Sequence, residues 1–404
     1  MLLFLAIFSY TSVMDGLKWS KPLEWLGSFN GSLSGIEPAD LASSVIKEAI
    51  VRSNVDFEEV TYSTVGNCIP TESRSPYISR VASINAGMPM ESVAVTVNRL
   101  CGSAMQGIVS TSQSIMLGDC NFGIGGGVEV MSKGGYLSPS MRSGARMGDT
   151  SIIDMMVATL TDPFGVGHMG ITAENLAKKW NITRADQDKF SLHSQKKAIY
   201  AIDQGRFKDQ IVPITISSRK GDTIFKEDEY PKRDTSEEKL SKMRAAFSKD
   251  GSVTAGNSSG INDGASFLVL ADEKTSEKKG LQAIARLVSY GISGVSNEIM
   301  GEGPITATKI ALEKAGLTLD NIDIIESNEA FAAQAIAVNK GLNLNPEITN
   351  INGGAISLGH PVGATGSILV TKLLHELKRS KGKFGLATMC IGGGQGIATI
   401  YELL

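Results

Sequence analysis

At 404 residues the chain exceeds one ordinary domain, so two or three lobes are expected. With 42% hydrophobic and 20% charged residues, it has the makeup of a soluble globular protein able to bury a large core. A net charge of −3 argues against nucleic acid or an anionic membrane as partner, and four scattered cysteines without a CxxC argue against a disulfide framework or zinc site; a reduced, cytoplasmic compartment fits better.

Met1 to Phe8 is wholly apolar but far shorter than the roughly 20 residues of a membrane span. No Lys or Arg precedes it, so it reads as a strand or as foreign sequence, not as an anchor or signal. Pro38, followed by Leu41, Val45, Ile46 and Ala49, predicts a helix with proline in its first turn. Val93 to Val97 is a short β-branched strand, and Gly102 to Leu117 then reads as a helix stopped by Gly118. The next buried strand is expected to end near Ile124, at the glycines 125–127.

Between Lys133 and Gly170, Gly, Ser, Met and Pro accumulate, and a helix follows whose start is marked by a capping box of Thr183 and Asp186 and whose end is Gly205. Thr235 and Glu238 read as a second cap. Basic residues outnumber acidic ones from Glu174 to Asp250, which fits either a solvated surface or a landing area for a phosphorylated ligand. Residues 131–261 therefore read as a loop-rich insertion between a first half, 1–130 with 262–282, and a second half, 283–404. Strand and helix patterns alternate again from Ile284, so the fold class is α/β.

Cys101 and Cys390 each follow an apolar strand, and each is succeeded, after four intervening residues, by Gln-Gly-Ile, a pattern that hints at two copies of one α/β unit. At a strand-to-helix junction, free amides and the helix dipole favour a thiolate, which makes Cys101 a candidate nucleophile; a buried, inert thiol is the other reading. Behind Cys390, the glycines 392–394 leave backbone amides bare, as an oxyanion hole requires, or simply form a tight turn. His360 sits among small residues between Asn352 and Gly366, where an imidazole could take a proton from a thiol and then donate to an oxyanion. His168, in a Gly-His-Met-Gly loop, is a candidate for lining the substrate, whereas His193 and His375 read as surface residues. Asn328 at a strand end can orient a water or cap a helix, and Ser259 lies in a small polar loop suited to an amide-bearing ligand or to a turn.

Val97-Asn-Arg-Leu-Cys101-Gly-Ser, His168-Met-Gly, Asn328-Glu-Ala-Phe331, Gly359-His360-Pro and Cys390-Ile-Gly-Gly-Gly394 stand in the order and approximate spacing of thiolases, and from about Gly27 onward the chain resembles that family. The segment 144–149 with the His-Met-Gly loop is most similar to β-ketothiolases that accept chains longer than acetoacetyl. The resemblance implies a duplicated, five-layered α-β-α-β-α core with an inserted loop domain, assembled as a homodimer or homotetramer. It implies acyl-CoA and CoA as substrates, with no separate cofactor. It also implies that Cys101 carries the acyl group, His360 activates it and Cys390 is the acid/base at the α-carbon. One oxyanion hole would comprise Asn328, through a water, and His360; the other would comprise the amides of Cys101 and Gly392. His168, Met169, Ser259, Ala330 and Phe331 would line the substrate tunnel, and Lys232 or Arg233 would meet the nucleotide.

The family opens with a strand and an Arg-Thr-Pro-like turn, and here Lys21-Pro-Leu-Glu-Trp25-Leu stands instead, with Met1 to Phe8 as a candidate replacement. A thiolase-like protein that is inactive or poorly folded because of this start is therefore the alternative to an active enzyme. A decarboxylating ketoacyl synthase is a third reading, against which Cys390 and its glycine loop argue.

Overall fold

The computed structural model describes residues 17–19, 23–218 and 221–404, so Met1 to Phe8 lies outside the described residues. In the first half, the strand Val60–Gly66 pairs in parallel with Val93–Val97 on one side and with Phe122–Val130 on the other. Phe122–Val130 runs antiparallel to Asn262–Asp272, which in turn pairs with Leu23–Ser28. The second half repeats this order. Ile324–Ser327 bridges Thr349 and pairs in parallel with Phe384–Ile391, which runs antiparallel to Gln395–Leu403, itself paired with Ala285–Gly294.

Each unit places a helix before its third strand in this order: Ser103–Leu117 in the first half and Thr365–Ser380 in the second. These two helices pack on each other and on strands of both halves, forming the middle layer. The outer layers include Pro38–Ser53 against the first half's strands and Gly303–Ala315 against the second's, each helix with a proline in its first turn. The result is the duplicated α-β-α-β-α architecture. Glycine lets the middle layer close: a Cβ on Gly366 would lie 2.4 Å from the Met105 amide nitrogen, and one on Gly125 would lie 2.8 Å from Ile108 Cα.

That second contact corrects an expectation. The strand does not end near Ile124 but runs through the glycines to Val130, because they serve close approach, of a helix at Gly125, of the neighbouring strand at Gly126 and of the Gly363 loop at Gly127, and not a turn. The repeat of Gln-Gly-Ile is also not the duplication: after Cys101 it lies in a helix, after Cys390 in the strand Gln395–Leu403. Strand order shows the real correspondence, in which the Cys101 turn matches the His360 loop, each leading into a middle-layer helix. The capping box of Thr183 and Asp186 is present, but the second cap is Ser236, whose hydroxyl accepts from Lys239 N, and not Thr235.

The unusual start does supply strands. Leu23–Ser28 pairs with Asn262–Phe267, and Leu17–Trp19 continues along Leu270–Asp272 with a further pairing to Arg286. A backbone ladder accepts almost any side chains, so register survives where the family's motif is lost. Leu26 is fully buried in the first-half core, whereas Glu24 brings a carboxyl inside whose pKa burial raises well above the usual range. Among the described residues, no helix is long and apolar enough to cross a membrane.

Because Gly366 sits against the other middle-layer helix, Gly366→Ala should destabilise the fold by about 1–3 kcal/mol through overpacking. Denaturant unfolding checks this; a change within about 0.5 kcal/mol, typical of a free surface position, would contradict the packing described.

Candidate active site

The turn from Asn98 to Ser103 carries Cys101. Asn98 Oδ1 accepts from Leu100 N at 2.9 Å, and Ser103 Oγ accepts from Arg99 N at 2.9 Å while donating to Leu100 O at 2.6 Å. These bonds hold Leu100 at φ 48°, a left-handed conformation costly for a branched side chain. The strain presents the next residue, Cys101, half-buried, at the mouth of the middle-layer helix. Burial pushes its thiol up to about 11, against the pull of the Gly392 and Cys101 backbone N–H groups. The resting nucleophile is therefore a neutral thiol that needs a base.

His360 stands opposite. Its backbone N–H donates to Asn262 Oδ1 at 3.0 Å, and its Nδ1 lies 2.6 Å from Thr365 Oγ1. The Thr365 hydroxyl donates to Pro361 O at 2.9 Å, so it can only accept from the ring. That assigns the proton to Nδ1 and leaves Nε2 with a bare lone pair; Nε2 is buried and has no protein partner. Burial lowers the imidazole pKa to about 4, so the ring is neutral at ordinary pH. A neutral imidazole with an open lone pair is a base until it gains a proton and a donor afterwards.

Cys390 is the penultimate residue of the strand Phe384–Ile391, not the start of a helix. Burial raises its thiol pKa most, and a thiolate at Cys101 would raise it further. The chain reverses directly through Gly393 and Gly394, at φ 81° and 91°, a pair of left-handed positions that only glycine adopts easily. This turn aims the Gly392 N–H at Cys101.

Asn328 is buried, and neither atom of its side-chain amide has a protein partner. Its neighbour Glu329 accepts from Ser194 Oγ at 2.7 Å, Asn350 Nδ2 at 2.9 Å and Ile356 N at 3.3 Å, which fixes the segment.

Cys101, His360, Cys390 and Gly392 open into one cavity of about 560 Å³, whose walls include His168, Met169, Ser259, Ala330, Phe331 and Lys232. His168 also caps the following helix, accepting from Gly170 N at 3.1 Å, and stacks on Phe247 at 4.7 Å. Ser259 is docked on the Asn-Glu-Ala-Phe segment by its N–H to Ala330 O, 2.9 Å. Two expected residues stand apart. Asn328 is not part of the wall, and Arg233 is turned away into an ion pair with Asp203 at 2.7 Å, leaving Lys232 as the cation at the cavity. Sequence reading missed Thr365, Tyr230 and Phe247, because a threonine after a glycine-rich loop and two isolated aromatics carry no motif.

The chain matches the thiolase N-terminal domain over residues 24–274 and the thiolase C-terminal domain over residues 281–403. It is 52% identical over 378 residues to the beta-ketothiolase BktB of Cupriavidus necator, covering 93% of this chain and 96% of that one. Its identity to the acetyl-CoA acetyltransferase of Paracoccus denitrificans is 44% over 381 residues, covering 93% and 96%. Among solved structures, Bacillus anthracis acetyl-CoA acetyltransferase superposes with a TM-score of 0.95 at 42% identity, covering 98% of this chain and 100% of that one. Human mitochondrial 3-ketoacyl-CoA thiolase in complex with CoA superposes at 0.94 with 39% identity, covering 98% and 100%. The chain belongs to the thiolase family. It is an acyl-CoA C-acyltransferase that cleaves 3-ketoacyl-CoA with CoA and runs the reverse Claisen condensation.

In the free enzyme, iodoacetamide should alkylate Cys101 before the more buried Cys68, with a rate that climbs with pH towards about 11. Peptide mapping against pH checks this; a plateau near neutrality, or first labelling at Cys68, would contradict the neutral-thiol resting state.

Proposed function

We propose that Cys101 is the acyl carrier, His360 its base and Cys390 the acid/base at the substrate's α-carbon. The observation that carries this reading is the bare, buried Nε2 of His360 sharing one cavity with the thiols of Cys101 and Cys390. In thiolysis, Nε2 takes the Cys101 proton and the thiolate attacks the 3-keto carbon. The oxyanion formed there meets the N–H groups of Cys101 and Gly392, both already directed at the sulfur. The C2–C3 bond then breaks, and the electron pair passes into the enolate of acetyl-CoA.

The enolate oxygen is held by His360, whose Nε2 now carries a proton, and by Asn328 through a water. A buried amide without a protein partner costs about 1–3 kcal/mol, a penalty that a bridging water removes. Cys390 gives its proton to C2 and acetyl-CoA leaves. The Cys390 thiolate takes the proton of the incoming CoA thiol, the CoA sulfur attacks the acyl-Cys101 carbonyl, and the departing Cys101 sulfur recovers its proton from His360, which closes the cycle. The raised pKa of Cys390 fits a group that must hold its proton until a carbanion demands it.

Residues 131–261 act as the unit that covers the CoA, with Lys232 at the nucleotide end. The cavity takes acyl chains longer than acetoacetyl: the apolar cluster beside Cys101 includes Met131, Val362 and the partly buried Leu160, Met155 and Met156, and thioether side chains repack readily. The chain pairs with a second copy through the edge strand Val93–Val97, whose Val93 and Val95 are 54% and 41% exposed.

Cys390→Ala should slow α-proton exchange of acetyl-CoA at least about 100-fold while acylation of Cys101 falls less than about threefold. Exchange into deuterated water, with intact-mass analysis of the acyl-enzyme, checks both; equal losses would end the division of labour. Val95→Lys should turn the dimer into monomers on sedimentation, and an unchanged sedimentation coefficient would refute the edge-strand pairing.

A further inference from the structure

We infer that Glu129 is a positioning residue for catalysis, whose carboxylate locks the His360 loop to the turn that carries Cys101. Glu129 is wholly buried near the end of Phe122–Val130, yet it is no orphan. Its Oε1 accepts from Asn67 Nδ2 at 2.9 Å and from Ile69 N at 3.1 Å. Its Oε2 accepts from Cys68 N at 2.9 Å and from Gly363 N at 3.0 Å. Burial pushes this carboxyl up to about 7 against the pull of the Ile69, Cys68 and Gly363 N–H groups, and the four donors converging on it form a clamp.

What the clamp joins gives it a catalytic meaning. Gly363 lies three residues beyond His360, so one arm grips the base's own loop. The other arm grips Cys68, whose Sγ meets Leu100 O at 3.1 Å and whose carbonyl accepts from Asn98 Nδ2 at 3.3 Å. Both are members of the turn that carries Cys101. The chain of contact therefore runs from Gly363 through Glu129 and Cys68 to the residue before the nucleophile. It crosses between the two halves of the fold, where sequence neighbours cannot help. Contact is too close for another side chain to intervene: a Cβ on Gly127 would lie 2.1 Å from Gly363 O, and one on Gly363 would lie 2.4 Å from Glu129 Oε2. Burial is what chiefly raises the Cys68 and Cys101 thiols; an ionised Glu129 adds to it at Cys68 and, as the smallest contribution, at Cys101.

The inference rests on the roles assigned to Cys101 and His360, and a double-mutant cycle separates the two questions. Single-turnover acetylation of Cys101 by acetyl-CoA is followed by intact mass in wild type, Glu129→Gln, His360→Ala and the double variant. Absence of acetylation in wild type would sink the roles assigned to Cys101 and His360, and the inference with them. Given acetylation, Glu129→Gln should slow it about 30-fold, in line with the roughly 100-fold penalty of ångström-scale misplacement, and should slow it less than about twofold when His360 is already alanine. A general structural defect would lower both backgrounds by the same factor. Gly363→Ala, which pushes the loop off the carboxylate without altering it, should reproduce the pattern and serves where Glu129→Gln melts early. Wild-type rates in the single variants, or equal losses in the two backgrounds, would overturn the assignment.

Discussion

The contact between the two middle-layer helices is the constraint on which the rest depends. Gly366 of one meets Met105 of the other with no room for a methyl group. Each helix is preceded by a loop, and packing the two helices together brings those loops together. One carries Cys101 and the other His360. Residues separated by most of the chain become neighbours because the fold repeats a unit and buries the two central helices face to face. Such burial supplies the bulk of the stabilisation, at roughly 25 cal/mol per Å² of apolar surface. The chemistry is set by the same packing.

Burial also fixes protonation. Desolvation lifts Cys101 to about 11 and drops His360 to about 4, so the resting pair is thiol and neutral imidazole. An ion pair in that dry space would need compensation that the site supplies only once a substrate carbonyl arrives. Thr365 contributes by holding the Nδ1 proton, which leaves the Nε2 lone pair on the cavity side. The two amides at Cys101 and Gly392 are supplied by backbone already fixed by strand and helix ends. Preorganised dipoles of this kind require little reorganisation during reaction.

Much of this was legible in the sequence. The capping box at Thr183, the helix after Pro38 and the helix ended by Gly118 follow from local rules that tertiary packing did not overturn. The five ordered motifs located Cys101, His360 and Cys390, and all three line one cavity. What stayed hidden depends on long-range contact. The glycines 125–127 looked like a strand end because local rules cannot see Ile108, Phe267 and Gly363 pressing on them in turn. Gln-Gly-Ile adopted helix in one place and strand in another, since three residues do not decide their own conformation. Arg233 looked equivalent to Lys232 until its pairing with Asp203 was visible. The segment before Phe29 looked unfit, yet Leu23–Ser28 fills a ladder beside Asn262–Phe267, at the cost of burying Glu24.

The convergence of Cys101 and Cys390 on one small volume can be tested by covalent measurement. A short bifunctional alkylator such as 1,3-dibromoacetone, added at one equivalent under alkaline conditions, would be followed by peptide mapping. The account predicts one dominant product in which the peptides of Cys101 and Cys390 are joined through the acetone bridge, with both thiols lost together. Single adducts on Cys101 with Cys390 left free, or a bridge to Cys68 instead, would contradict it.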